Sequence, residues 1–187
     1  TFTVSTNNTT LFPTPPAIDP ASGDLTYTPA DDIYGSATVT VALQDNGGTA
    51  NGGENTSASV QFTITVTPVN DAPSFTTGGT VSPNEDAGPQ TFDGWAANIS
   101  PGPFGEDGQG LAFTVTSSDN GAFDTPPDIN EISGDLTFET APDVNGTITL
   151  TITLEDDGGT ANGGVDQVTQ TAQIVINPVN DAPSFTP

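Results

Sequence analysis

Apolar and polar residues alternate along several short stretches of the chain. Val39, Val41 and Leu43 alternate with Thr38, Thr40 and Ala42, and Leu150, Ile152 and Leu154 alternate with Thr149, Thr151 and Thr153. Phe62, Ile64 and Val66 are interleaved with threonine, and Ile174 and Ile176 continue the same rhythm. Successive strand side chains point to opposite faces. A period of two in β-branched residues therefore predicts strands with one face in a core and one in water. Shorter strands are expected at 80–82, 91–92, 113–115 and 136–138. Turn clusters such as Ala21-Ser22-Gly23-Asp24 and Asp157-Gly158-Gly159 separate the strands, and no amphipathic helical pattern is visible. The pattern predicts an all-β fold, an antiparallel β-sandwich of about seven strands per module. Trp95 is the only tryptophan, and it is expected to anchor a core.

The chain repeats itself. "TPVNDAPSF" from Thr67 returns as "NPVNDAPSF" from Asn177, "DNGGTANGG" from Asp45 as "DDGGTANGG" from Asp156, and "SGDLTY" from Ser22 as "SGDLTF" from Ser133. The last two pairs lie 111 residues apart and the first 110, so one residue is lost near 54–61. Such a period is domain-sized, so each copy should own a core. In this register Thr1 matches Ala112, and the first copy lacks a counterpart of residues 74–111. Three segments are expected: 1–73, an incomplete module with its linker; 74–183, a complete module with its linker; and 184–187, the start of a third. The missing opening strands would be supplied by a preceding covalent segment or by a strand from a neighbouring chain. Met is absent, even at position 1, so the sequence is expected to be an interior window of a longer chain.

Charge narrows the chemistry. The 187 residues include no Lys, Arg or His and 24 carboxylates, 18 Asp and 6 Glu, for a net charge of -24. No carboxylate can be neutralised by a side-chain cation of its own chain. The carboxylates therefore stay apart in water or hold metal ions between them. The bias toward Asp suits turns and hard-cation loops, where a short side chain keeps an oxygen near the backbone. Cys is absent, so no disulfide staples the fold. Neither an EF-hand loop nor the Gly-Gly-x-Gly-x-Asp repeat of calcium β-rolls is present.

The stretch from Ala37 to Phe75 resembles the closing strands and linker of a cadherin domain. A strand ends in "LQD", a Gly-rich loop follows, and "FTITVTPVNDAPSF" is similar to the cadherin ending. "AIDPASGDLTY" from Ala17, "PNEDAG" from Pro83 and "GEDGQGLAF" from Gly105 also resemble cadherin positions. The module as a whole resembles the cadherin-like, immunoglobulin-like tandem repeats of giant bacterial surface proteins. The resemblance implies tandem β-sandwich modules joined by calcium-binding linkers, with Ca²⁺ stiffening each junction. By position, one junction would use Asp32, Asn70, Asp71, Asp107 and Asp156. The next would use Glu85, Asp143, Asn180 and Asp181, and Asp45 would face whatever module precedes it. The cadherin "LDRE" motif is replaced by "PADD" and "APD", and "EDG" stands where "DxD" is usual, so fewer ions per junction are expected than in cadherins. The linker Asn and Asp residues and the Gly-rich loops supply the oxygen ligands, about six to eight per ion, that Ca²⁺ takes.

These features favour a structural, calcium-stabilised segment of an extracellular adhesin or surface fibre, at the cell surface or secreted. Its partners would be neighbouring repeat modules of the same or an identical chain. A polymerising fibre subunit and a module that binds a cell-surface glycan or protein are the alternatives. The strong negative charge argues against nucleic acid and anionic membranes, and no apolar run reaches the about 20 residues of a membrane-spanning helix. Catalysis is not expected. Only carboxylates could serve as acid or base, and Asp31-Asp32 and Asp156-Asp157 are adjacent in sequence, which on strands points them to opposite faces. Asn145-Gly146-Thr147 has the form of a glycosylation acceptor.

Overall fold

A computed structural model describes residues 1–183. The chain divides into two compact units, Thr1–Pro68 and Val69–Pro187. The expected start of a third module at Ser184 lies outside the described residues.

Unit 1 contains β1 (Phe2–Thr6), β2 (Thr14–Ile18), β3 (Leu25–Thr28), β4 (Gly35–Leu43) and β5 (Val60–Val66). An antiparallel sheet runs β1-β4-β5, with Val4 opposite Val41 and Ala37 opposite Ile64. The hairpin β2-β3 makes a second layer. Its core is small: Leu11, Phe12, Ala37, Val39 and Ile64, flanked by Val4, Ile33, Val41 and Val66.

Unit 2 repeats these five strands and adds three before them. The added strands are β6 (Ser74–Thr76), β7 (Pro89–Phe92) and β8 (Ala97–Ser100). The repeated ones are β9 (Leu111–Ser117), β10 (Phe123–Ile129), β11 (Leu136–Thr140), β12 (Gly146–Asp156) and β13 (Gln167–Ile176). One antiparallel sheet runs β9-β12-β13, another runs β10-β11-β7, and β6 pairs with β8. Ile129, Leu136 and Phe138 of one sheet and Leu150, Ile152, Leu154, Ile174 and Ile176 of the other are buried in one cluster. The alternation read along β12 and β13 is the inward face of this sandwich. Trp95 belongs to the same cluster, and its indole Nε1 donates to Gly79 O at 3.1 Å.

Two differences from the sequence expectations have local causes. Segment 80–82 forms no strand: Val81 makes a single parallel bridge to Ile174, and Asn84 another to Asn177, on either side of Pro83, which has no N–H to donate. Conversely β2 and β10 carry Pro-Pro pairs that obscure their strand character. Both are edge strands, and the pairing register of each shifts across the prolines, as bulges allow.

The extra segment of unit 2 covers apolar surface that unit 1 leaves open. β7 pairs along the edge of β11, whereas β3, the matching strand of unit 1, pairs only with β2 among the described residues. Phe138 is 2% exposed and its counterpart Tyr27 41%; no exposure remains at Leu154, while its counterpart Leu43 keeps 50%.

Candidate metal centres

Two acidic clusters lie at opposite ends of β12 within unit 2. At about 3.3 Å per strand residue its 11 residues hold them roughly 30 Å apart.

The first cluster gathers around Asn70 and Asp71. The Asn70 side-chain amide donates to Asp156 Oδ1 at 2.9 Å and to Val165 O at 2.7 Å, while Gln109 Nε2 donates to Asn70 Oδ1 at 2.7 Å. The Val165 N–H returns a bond to Asn70 O at 2.9 Å. Asp71 N donates to Glu106 Oε1 at 3.0 Å. Consecutive linker residues thus bind two carboxylates that are both buried, Glu106 at 8% and Asp156 at 4% exposure. The second oxygens, Glu106 Oε2 and Asp156 Oδ2, are buried without a hydrogen-bond partner, as is Gln109 Oε1. A buried carboxylate oxygen left unpaired is costly. Since the sequence contains no Lys, Arg or His, no side-chain cation can neutralise these charges, and a metal ion can.

Glycine makes this arrangement possible. A Cβ on Gly158 would overlap the Asn70 side-chain oxygen, and one on Gly164 would sit 3.0 Å from Asn70 Cβ. The loop is held by Gly158 N donating to Asp156 Oδ1 at 2.9 Å and by Gly164 N donating to Ala161 O at 3.1 Å.

In the second cluster, carboxylate oxygens of Asp86, Asp143 and Asp181 lie within 4.8 Å of one another. Asp86 and Asp143 have positive φ, 60° and 58°, a conformation Asp tolerates better than most residues. Asp143 N also donates to Asp86 Oδ1 at 3.2 Å. Desolvation, followed by repulsion from Asp143, Asp86 and Glu85, raises the Asp181 carboxyl above its ordinary value. Glu85 is buried, and both its oxygens are engaged: Oε1 accepts Val179 N at 2.7 Å and Oε2 accepts Asn145 Nδ2 at 3.1 Å. The sequon nitrogen of Asn145 is therefore already bonded to a carboxylate.

The residues expected from sequence fall as follows. Asn70, Asp71 and Asp156 come together, joined by Glu106 and Gln109, while Asp107 is exposed beside them. Asp143 and Asp181 come together with Asp86; Glu85 pins the segment after β13, and the Asn180 amide donates to the adjacent Asp181 O at 2.9 Å. In unit 1, Asp32 has a φ of 56°, matching its repeat counterpart Asp143, and Asp45 Oδ1 accepts Gly47 N at 2.7 Å. Glu106, Gln109 and Asp86 were missed. Asp86 sits next to the expected Glu85 and Glu106 next to the expected Asp107, so "PNEDAG" and "GEDGQG" carried the signal without the register.

Both clusters fit Ca²⁺ in donor chemistry: carboxylate, amide and carbonyl oxygens, with no nitrogen or sulfur ligand to favour a softer ion.

Residues 106–177 match the family model of a lipoprotein associated domain. No curated protein matches the chain. Among solved structures, human protocadherin-24 EC1-2 aligns with a TM-score of 0.57 at 15% identity, covering 96% of this chain and 82% of that one. Form II of the same protein aligns at 0.51 and 17%, covering 97% and 82%. Human mucin-like protocadherin EC1-2 aligns at 0.51 and 16%, covering 95% and 85%. The fold is thus a cadherin-like, all-β antiparallel sandwich.

Proposed function

We propose that this chain is a calcium-stabilised structural segment of an extracellular adhesin or surface fibre, a repeat that acts as a rod or spacer. The observation that carries the reading is the pair of buried carboxylates, Glu106 and Asp156, each with an unpartnered oxygen in a chain devoid of cationic side chains. Glu106 and Asp156, tied to linker residues Asp71 and Asn70, hold one ion site of unit 2, and Asp86, Asp143 and Asp181 hold another. Calcium supplies positive charge there and links chain segments distant in sequence. The protein's own groups position the carboxylates, through the Asp71 and Asn70 hydrogen bonds and the glycine loop.

Asp32 and Asp45 are repeat counterparts of Asp143 and Asp156, and they would serve unit 1 in the same way. Modules of the same or an identical chain are the natural partners, with the boundaries 1–73 and 74–183 and a third module from Ser184. A second reading draws on the exposure of Leu25, Tyr27 and Leu43: unit 1 is completed by opening strands equivalent to 74–111, as in a fibre whose repeats are contiguous or strand-sharing. A glycan or protein ligand has no comparable support.

Melting in EDTA and in millimolar Ca²⁺ at equal ionic strength tests the proposal. Each site should add roughly 2.7–4.1 kcal/mol when Ca²⁺ is 100 to 1,000 times its dissociation constant. Equal midpoints would leave the acidity as a solubility device only.

A further inference from the structure

The Gly-rich loop of unit 1, residues 45–53, has the same shape as the loop in unit 2 that seats Asn70. Asp45 N donates to Asn55 O at 3.0 Å as Asp156 N donates to Asp166 O at 2.9 Å. Gly47 N bonds Asp45 Oδ1 at 2.7 Å as Gly158 N bonds Asp156 Oδ1 at 2.9 Å. Gly53 N and Gly164 N each reach an Ala carbonyl at 3.1 Å. Asn51 and Asn162 share φ values of 57° and 58°, and Gly48 and Gly159 share 78° and 76°.

In unit 2 the reason for two of these glycines is visible: Asn70 fills the space their side chains would take. In unit 1 only loop atoms approach the matching positions, Gly47 and Gly53. Glu54, the counterpart of Val165, has no backbone hydrogen bond among the described residues, whereas Val165 exchanges two bonds with Asn70. The loop of unit 1 therefore has the same glycine positions, carboxylate acceptor and backbone pair that hold Asn70 in unit 2.

We infer that loop 45–53 is a socket for the Pro-Val-Asn-Asp-Ala-Pro linker of a neighbouring module of the same repeat type. The linker asparagine donates its amide to Asp45 and to Glu54 O, and accepts the Glu54 N–H on its backbone. The internal copy identifies the occupant, since the segment seated on the loop of unit 2 is this linker, and the chain carries the same six residues again at 178–183. The inference rests on the tandem-repeat reading but not on calcium.

The test adds a synthetic peptide of residues 67–75 to the full chain in trans and follows backbone amide resonances, in EDTA and in Ca²⁺. Saturable shifts confined to residues 45–55 are expected in both conditions. Affinity should fall at least tenfold for a peptide with Ala at the Asn70 position, and likewise for the Gly47→Ala chain, whose unshifted resonances elsewhere would show that unit 1 remains folded. Gln109 has no counterpart in unit 1, so binding in the millimolar range is enough. An absence of saturable shifts at the highest soluble peptide concentration overturns the inference. Shifts that persist with the Ala peptide or in Gly47→Ala overturn it too. Binding that is intact in EDTA while Ca²⁺ leaves the melting midpoint unchanged would refute the calcium proposal and keep the socket.

Discussion

Replacing Glu106 by Gln should have opposite effects with and without calcium. Oε1 of Glu106 accepts Asp71 N at 3.0 Å, and a glutamine oxygen keeps that bond. Oε2 is buried and unpartnered, so the substitution removes a charge that no protein group compensates. In EDTA, removing this uncompensated buried charge is worth about 1–3 kcal/mol. At roughly 4 °C per kcal/mol for a domain of this size, the midpoint of unit 2 should rise by about 4–12 °C. In excess Ca²⁺ the wild type gains roughly 2.7–4.1 kcal/mol from a site held at 100 to 1,000 times its dissociation constant. The variant loses most of that gain, and at the saturating end of the range, about 4.1 kcal/mol, it should melt below the wild type. The assay is a pair of calorimetric scans for each protein, in EDTA and in Ca²⁺ at fixed ionic strength. A variant less stable in both conditions would show that Glu106 stabilises the fold without an ion. A variant more stable in both would show that its charge serves no calcium site.

Two other outcomes follow from the fold. Adding a copy of residues 74–111 ahead of Thr1 should lower the binding of an apolar dye and raise the melting temperature of unit 1, because Tyr27 and Leu43 would gain the cover that Phe138 and Leu154 have; unchanged dye binding would argue against this completion. Asp135 accepts Gly94 N at 2.7 Å, and that bond, then Ser133, lowers its carboxyl pKa. A depressed folded value means that its stabilisation is complete above the ordinary carboxylate range and is lost as pH falls through the folded value. Asp135→Asn should therefore flatten the acid side of the unit 2 melting profile, and an unaltered profile would remove Asp135 from the account.

The sandwich was legible because several of its longer strands bury one face only. Val39, Ile64, Leu150 and Ile152 alternate with threonines, so burial is written at every second position. Strands held by pairing were harder to see. In β2 and β10 two prolines mask the alternation, while β6 and β8 span three and four residues and have little room for a period. The linker residues Asn70 and Asp71 stood out because their motif recurs, but the acidic positions facing them did not resolve to single residues. Which of Glu106 and Asp107, or of Glu85 and Asp86, turns toward a cluster depends on a tight turn. Asp86 turns through a positive φ, and sequence spacing does not encode that rotation. Glu85 instead accepts two hydrogen bonds, a role that resemblance to a ligand set could not separate from coordination. The likeness of loops 45–53 and 156–164 was legible in sequence, but the contact of Asn70 with the second loop was not, because it joins residues far apart in the chain.

Calorimetric titration of the full chain with Ca²⁺, repeated with Mg²⁺ at equal ionic strength, tests the central claim most directly. Saturable Ca²⁺ binding is expected, with at least two sites assignable to unit 2, one lost in Glu106→Gln and another in Asp143→Ala, and with Mg²⁺ binding far more weakly because it demands a tighter octahedral shell. Heats that never saturate, or that Mg²⁺ reproduces in full, would mean that the carboxylates attract only a diffuse ion atmosphere and would contradict the account.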